Sequence, residues 1–455
     1  MSLYCAGVST PPFIDLPHGV EPIAFSGGYG PLAGLCSRPA QPTRGTILLV
    51  PGFTGSKEDF IALFPLLTDL GYVVASYDHR GQYQSVGPTE LAEYQLEDFV
   101  ADAGRVTRAL AAQSDSGVHL VGHSFGGLVA RGAVIDALTS SSNGADTRLF
   151  DSFTLLASGP GAVPQELSEM AQQLIDAMGI MTLREIWDHQ EAIDRAAGWE
   201  PPSDDVLAFL KGRFLANNPI ALGAKARILI DAQDVVGELA AATSRVKLPT
   251  LVAYGELDNR WTPAEQCEMA VRLGARQFLF PGTGHSPNAE VPHWCAAALE
   301  GFFADSVEVP ARPVAFADLH HGYNDGMELL APVASTPEAV GDARRMLARQ
   351  LVAWGLESAV DDLQLLASEL ITNAIRYGKN PVAVRLITRA GVLRLEVTDG
   401  NIHNLPVPRV AQHTDSHGRG LPLVDAIATD WGVAIENSGA SKTVWVELAT
   451  SPAGD

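Results

Sequence analysis

Ser124 stands between Gly122 and Gly126 in the string His119-Leu-Val-Gly-His-Ser-Phe-Gly-Gly127. An apolar run, Val118-His-Leu-Val121, precedes it, and a helix-like run, Leu128-Val-Ala-Arg-Gly-Ala-Val134, follows. A G-x-S-x-G turn between strand and helix needs small neighbours, because its backbone is strained and the two elements approach closely. The turn lifts the hydroxyl to the top of a sheet, where the free amides of the next helix also point. A serine is a weak nucleophile until a base takes its proton, and the base needs a carboxylate to hold its tautomer. His285, at the end of Pro281-Gly-Thr-Gly-His285, is the candidate base. Asp258, at the end of Gly255-Glu-Leu-Asp258, is the candidate orienting acid. Glu256 competes for that role, and the strand-end position favours Asp258. The oxyanion would be held by the backbone N–H of Phe125 and by that of Phe53 in the loop Pro51-Gly-Phe-Thr-Gly-Ser56. Such donors are worth about 3 kcal/mol each. A serine here favours esters, thioesters, amides, lactones or activated C–C bonds. His123, next to the nucleophile, reads as structural; His79 either lines the pocket or holds its loop.

The elements that must position these residues alternate between strand and helix. Thr46-Ile-Leu-Leu-Val50 and Tyr72-Val-Val-Ala-Ser-Tyr77 are continuous apolar runs, as expected of strands covered on both faces. Ser152-Phe-Thr-Leu-Leu-Ala157, Pro249-Thr-Leu-Val-Ala-Tyr254 and Gln277-Phe-Leu-Phe280 continue the series. Helical patterns lie between them, so the class is α/β, a mostly parallel sheet with helices on both faces. Functional groups in such sheets collect at the carboxyl ends of strands, which is where Ser124, Asp258 and His285 fall. The alternation lapses at about 160–245, an acidic helical stretch broken at Pro201-Pro202 and Pro219, which predicts a helical cap. The order Ser…Asp…His, with Gly52-Phe53, Asp78-His-Arg-Gly81, Gly122-His-Ser-Phe-Gly126 and Gly284-His285, resembles the α/β-hydrolase superfamily over roughly 20–305. Relatives often carry D-x-R-G-x-G-x-S; here Tyr83 stands where a glycine is usual, a place from which it would narrow the pocket mouth.

A second unit follows a linker at 306–326, which contains Pro310, Pro313, His320 and His321 with little periodicity. The domains predicted are therefore 1–305, the linker, and 327–455. In a helix predicted over 361–377, Leu363, Ala367, Leu370 and Ala374 form an apolar stripe. Asp362, Leu366, Glu369 and Asn373 share the neighbouring face, with the last two side by side at i, i+4. A carboxylate beside an amide oxygen suits a hard cation such as Mg²⁺ held with a phosphate. Alternating strands at 381–387 and 392–398 lead to Asp399-Gly400; then come a long polar segment and Gly418-Arg-Gly420-Leu421 before an expected helix. These pieces, with Glu369-Leu-Ile-Thr-Asn373-Ala374 and Gly439-Ala-Ser-Lys-Thr443, resemble the histidine-kinase-like ATPase superfamily, an α+β fold, and within it the small anti-sigma-factor serine kinases. The resemblance implies ATP and Mg²⁺ as cofactors, with Asn373 on the metal and Asp399 on the adenine amine. It further implies Gly400 and Thr443 in the ATP site, Gly418 and Gly420 at the phosphates, and Glu369 as acceptor of a proton from an attacking serine or water. Its protein partner would be an anti-sigma-factor antagonist or a sigma factor, and a homodimer through this domain would fit.

The bulk numbers bound these readings. The chain has 455 residues and a formal net charge of −22, which argues against a nucleic-acid or anionic-membrane surface. No apolar run reaches the roughly 20 residues of a membrane span. The start, Met-Ser-Leu-Tyr-Cys-Ala, has no basic and apolar leader. Cys5, Cys36, Cys267 and Cys295 are scattered, as expected of reduced thiols in a cytoplasm. The expected function is a serine hydrolase of small acyl compounds, a carboxylic ester or lactone, fused to an ATP-binding, kinase-like domain. The alternative is a regulatory protein whose hydrolase fold senses a small molecule.

Overall fold

The computed structural model describes residues 9–40, 43–140, 149–199, 203–280, 283–305, 327–333, 336–378, 382–389, 391–401, 424, 426–435 and 442–449. They divide into two compact units, with the division falling within the helix Pro292–Asp305. The expected linker and the glycine pair Gly418 and Gly420 lie outside the described residues.

The first unit is an eight-stranded sheet of order β1-β2-β4-β3-β5-β6-β7-β8. β1 (Val20–Ser26) and β2 (Pro31–Ser37) form an antiparallel edge, and β2 pairs antiparallel with β4 (Tyr72–Tyr77). From there β3 (Gly45–Val50), β5 (Val118–His123), β6 (Phe150–Leu156), β7 (Thr250–Gly255) and β8 (Arg276–Phe280) run parallel. β3, β4, β5 and β7 are buried along their whole length, which is why their sequences are apolar without alternation. Between β6 and β7 the described residues form five helices, α4 (Gln165–Met178), α5 (Leu183–Ala196), α6 (Asp204–Leu215), α7 (Pro219–Asp231) and α8 (Val236–Val246). The last packs against the sheet-flanking helices α3 (Phe125–Ser140) and α9 (Pro263–Leu273), while α4 packs on α7 and α5 on α6.

One apolar cluster runs from the sheet into this insertion, joining Phe53, Phe125 and Tyr254 to Leu174, Trp187 and Leu222. Each such side chain contributes roughly 1.5–3 kcal/mol when buried, so the insertion folds onto the base rather than apart from it. Buried polar ties fix it in place. Arg131 of α3 donates to the carbonyls of Gly159 (3.0 Å) and Pro160 (2.6 Å) at the entry and of Gln233 (3.1 Å) between α7 and α8. Arg213 of α6 pairs with Asp59 at 2.5 Å, both buried, and donates to the Ser9 carbonyl.

The second unit is a five-stranded antiparallel sheet of order β12-β13-β11-β10-β9. Its strands are β9 (Met327–Val333), β10 (Val382–Arg389), β11 (Val392–Asp399), β12 (Asp430–Ile435) and β13 (Lys442–Ala449). Alternation decides its inner face: Leu393, Leu395, Val397, Val444, Val446 and Leu448 are buried. Helices α12 (Pro337–Ala353) and α13 (Val360–Tyr377) pack on each other, α13 covering β10 and β11. Leu363, Ala367, Leu370 and Ala374 face inward as their spacing predicts. Leu366, expected on the polar flank, is buried too, because the covered stripe is wider than a single i, i+4 row.

The turn at the end of β5 depends on the absence of a side chain at Gly126. A Cβ there would lie 2.2 Å from the Val50 carbonyl oxygen, and backbone cannot move aside cheaply. Gly126→Ala is therefore expected to cost ~2 kcal/mol or more, within the range of overpacking effects. Thermal and denaturant unfolding of the variant checks this; an unchanged midpoint would contradict the close packing described.

Candidate functional site

Ser124 is the residue between β5 and α3, and its φ of 55° lies in the left-handed region that non-glycine residues seldom occupy. The strain is held by bonds on both sides. Ser124 N–H donates to the Leu156 carbonyl (3.0 Å), and Gly127 N–H donates to the Ser124 carbonyl (2.8 Å). A Cβ at Gly122 would lie 2.5 Å from the Gly126 carbonyl oxygen, so the flanking glycines are steric requirements. Ser124 Oγ is 2.8 Å from His285 Nε2, and His285 Nδ1 is 2.9 Å from Asp258 Oδ1. The three residues expected from the sequence are thus in one hydrogen-bonded line, and Asp258 rather than Glu256 meets the imidazole.

Further residues hold that line, and for Gln266, Arg260 and Glu290 no local sequence signal marks the role. Gln266 of α9, fully buried, donates to Asp258 Oδ2 at 2.9 Å and to the Trp261 carbonyl at 2.8 Å. Arg260 N–H donates to Asp258 Oδ1 at 2.9 Å. Burial pushes the Asp258 carboxyl up, but the His285 charge, its hydrogen bond and these two donors outweigh it, so its pKa lies below the ordinary value. Glu290 accepts the N–H of Gly284 (2.7 Å) and of Ser286 (2.8 Å), clasping the loop on either side of His285. His123 is structural as expected, and its partner is the base itself: His123 Nε2 is 2.9 Å from the His285 carbonyl oxygen. Burial lowers the His123 pKa to about 3, which keeps that ring neutral.

Phe53 and Phe125 carry the two expected oxyanion donors. Among the described residues neither N–H has a protein acceptor: Phe53 lies in the loop after β3, and Phe125 opens α3, where a first-turn amide has no intrahelical partner. Gly52 abuts the nucleophile, since a Cβ there would lie 3.6 Å from Ser124 Oγ. The loop's carbonyls are taken from behind. Gln82 Nε2 donates to the Gly52 carbonyl (3.0 Å) and reaches that of Phe53 (3.3 Å), while Lys225 Nζ donates to the Phe53 carbonyl at 2.7 Å. His79 holds the loop rather than lining the pocket, with Nε2 3.0 Å from the Pro51 carbonyl oxygen. Tyr83 departs from expectation: it is not among the described residues lining the cavity. Its φ of 43° explains why glycine is usual there, and its ring packs edge-on against Phe209 and under Lys57.

The cavity above Ser124 and His285 is small, about 60 Å³, or roughly four times the room one water needs. Phe53 from the base, Trp261, and Val163, Leu167, Ala171 and Leu229 from the insertion give it apolar walls. A short acyl or alkoxy group fits that space.

In the second unit Glu369 and Asn373 project from α13 one turn apart and half-buried, and among the described residues neither side chain has a hydrogen-bond partner. Two oxygen-bearing groups so placed fit a hard cation. Asp399, at the end of β11, is buried and differently engaged. Lys442, opposite it in the β11–β13 register, donates to both its oxygens (2.9 and 2.7 Å) and to the Asn401 carbonyl (2.8 Å). An adenine amine would have to share that carboxylate with Lys442. Gly400 follows Asp399, Thr443 sits on β13 with its hydroxyl 2.7 Å from that of Thr398, and Gly418 and Gly420 are outside the described residues. Among the described residues, no helix is long and apolar enough to cross a membrane.

Residues 47–298 match the Alpha/beta hydrolase family, and the chain belongs to it. Residues 333–448 match the Histidine kinase-like ATPase domain, so the second fold is of that type. Similar solved structures include a thermophilic esterase from Thermogutta terrifontis, 18% identical, covering 63% of this chain and 99% of its own with a TM-score of 0.48. The enol-lactonase from Burkholderia xenovorans LB400 is 19% identical, covering 62% of this chain and 100% of its own, with a TM-score of 0.48. An esterase from Exiguobacterium antarcticum is 15% identical, covering 63% and 100%, with a TM-score of 0.48.

The geometry sets Ser124 Oγ within hydrogen-bonding distance of His285 Nε2, so its reactivity can be tested directly. A fluorophosphonate is expected to add once, at Ser124, as read by intact mass and peptide mapping. His285→Ala should slow that labelling on the order of a thousandfold or more. Labelling at another residue, or at an unchanged rate, would contradict the assignment.

Proposed function

We propose that the first unit hydrolyses short carboxylic esters or lactones through Ser124, His285 and Asp258. The observation that carries this reading is the continuous line from Ser124 Oγ to His285 to Asp258 beside two unengaged amides. Ser124 Oγ attacks the acyl carbon as His285 Nε2 takes its proton. Asp258, held ionised by its donors, stabilises the imidazolium without accepting the proton. The tetrahedral oxyanion is met by the Phe53 and Phe125 amides. Collapse expels the alcohol, which takes the proton from His285, and a water repeats the sequence on the acyl-enzyme to release the acid. The small cavity favours a short acyl chain over a bulky one.

For the second unit the proposal is an ATP site, with Asn373 as the residue that would hold Mg²⁺ and Asp399 toward the adenine. Bound Mg-ATP would supply a transferable phosphoryl group, and Glu369 would take the proton of an accepting hydroxyl. The resemblance of Glu369-Leu-Ile-Thr-Asn373 to anti-sigma-factor serine kinases supports a partner among their antagonists or sigma factors.

Two measurements test these readings. Short-chain aryl esters should be hydrolysed by the full chain, with kcat falling on the order of 10⁴-fold or more in Ser124→Ala. Turnover that survives the substitution would remove the triad from the reaction. Mg-ATP at a hundred times its Kd should stabilise the second unit by about 2.7 kcal/mol. Asn373→Ala should abolish the Mg-dependent part; a variant stabilised as well as the wild type would exclude Asn373 as the metal residue.

A further inference from the structure

Helix α7 reads Pro219-Ile-Ala-Leu-Gly-Ala-Lys-Ala-Arg-Ile-Leu-Ile-Asp231, and its inward side is apolar: Ala221, Leu222, Ala224, Ala226 and Leu229 are buried. Lys225 is buried among them with no exposed surface. An ammonium in that setting is costly unless it is paired, and a methionine or leucine would fill the same space without the cost. Its ammonium makes one hydrogen bond among the described residues, to the Phe53 carbonyl at 2.7 Å. That carbonyl is already within reach of Gln82 Nε2 at 3.3 Å, so satisfying it does not by itself require a lysine. Phe53 lines the cavity above Ser124, and its N–H has no acceptor among the described residues.

The peptide geometry says what the two donors accomplish. In a trans peptide the C=O and the following N–H point in opposite directions. Gln82 draws the Gly52 carbonyl to its own side at 3.0 Å, so the N–H of Phe53 is presented on the other. Lys225 fixes the next carbonyl along, which stops the Phe53 backbone from rotating about the first plane. Gln82 belongs to the base, after β4, whereas Lys225 belongs to the helical insertion.

We infer that Gln82 and Lys225 are positioning residues that together set the Phe53 amide as an oxyanion donor, and that the Lys225 half makes this donor depend on the docked insertion. The inference rests on the hydrolase reading proposed above. A docked α7 leaves the amide aimed, and an undocked α7 leaves the loop held from one side only.

The test compares the full-length wild type with Lys225→Met, using aryl ester turnover and binding of phenylboronic acid, which forms a tetrahedral adduct on an active serine. Losing the aim of one donor should lower kcat about tenfold or more and weaken the boronate by a similar factor, with KM within about twofold. The unfolding midpoint should not fall, because a buried charge is replaced by an apolar side chain of similar length. Should Lys225→Met fail to fold, Gln82→Met examines the other half of the same latch with the same two readouts. Unchanged kcat and boronate affinity in an active wild-type background, or a rise in KM alone, would overturn the latch and leave the hydrolase reading standing. A wild type with neither Ser124-dependent turnover nor boronate binding would overturn both.

Discussion

The first unit is organised by a backbone conformation that a serine does not adopt freely. Ser124 sits at positive φ, and it stays there because β5, α3 and the loop after β3 meet with almost no space between them. Glycines at 122 and 126 allow the approach, and the bonds from Ser124 N–H to Leu156 and from Gly127 N–H to Ser124 keep it. Everything else in the site is placed by reference to that hydroxyl. His285 arrives from the loop after β8, Asp258 from the end of β7, and the Phe53 amide from the end of β3. The parallel sheet brings these three strand ends to one edge, and the strained turn is what raises the Ser124 hydroxyl among them.

Holding the geometry takes more buried polar groups than the reaction itself. Gln266, Glu290 and His123 each touch the acid or the base, or the loop that carries it, and none faces a substrate directly except where His123 lines the cavity. Gln266 and His123 are buried, and the hydrogen bonds they make would be costly to leave unmade in the interior. Arg131 does similar work at larger scale, tying the entry of the helical insertion and its α7–α8 turn to α3 from a single guanidinium. The insertion is thus tied to α3 by Arg131, packed on the base through apolar side chains, and linked by Lys225 to the loop that carries Phe53.

Much of this was legible in the residues. Ser124, Asp258 and His285 could be read because strand ends, turn glycines and chain order are local signals, and the choice of Asp258 over Glu256 followed from the same rule. Glu369 and Asn373 could be read because i, i+4 neighbours share a helix face. Lys225 could not be read, because its partner is 172 residues away and the contact exists only after the insertion docks. The Asp399–Lys442 pair was hidden for a related reason: a β11–β13 register brings together residues 43 apart, and no local pattern announces which strand lies next to which. Tyr83 was misread because a glycine position in the sequence signals a positive φ, not the direction in which a larger side chain will pack.

The most direct measurement is a crystal structure of the chain with a small phosphonate bound covalently at Ser124. The account predicts phosphorus on Ser124 Oγ, with the phosphonyl oxygen about 3 Å from the amide nitrogens of both Phe53 and Phe125. It also predicts that Gln82 and Lys225 keep their bonds to the loop carbonyls. An adduct whose oxygen turns away from these amides, or a Ser124 left unmodified while another residue reacts, would contradict it.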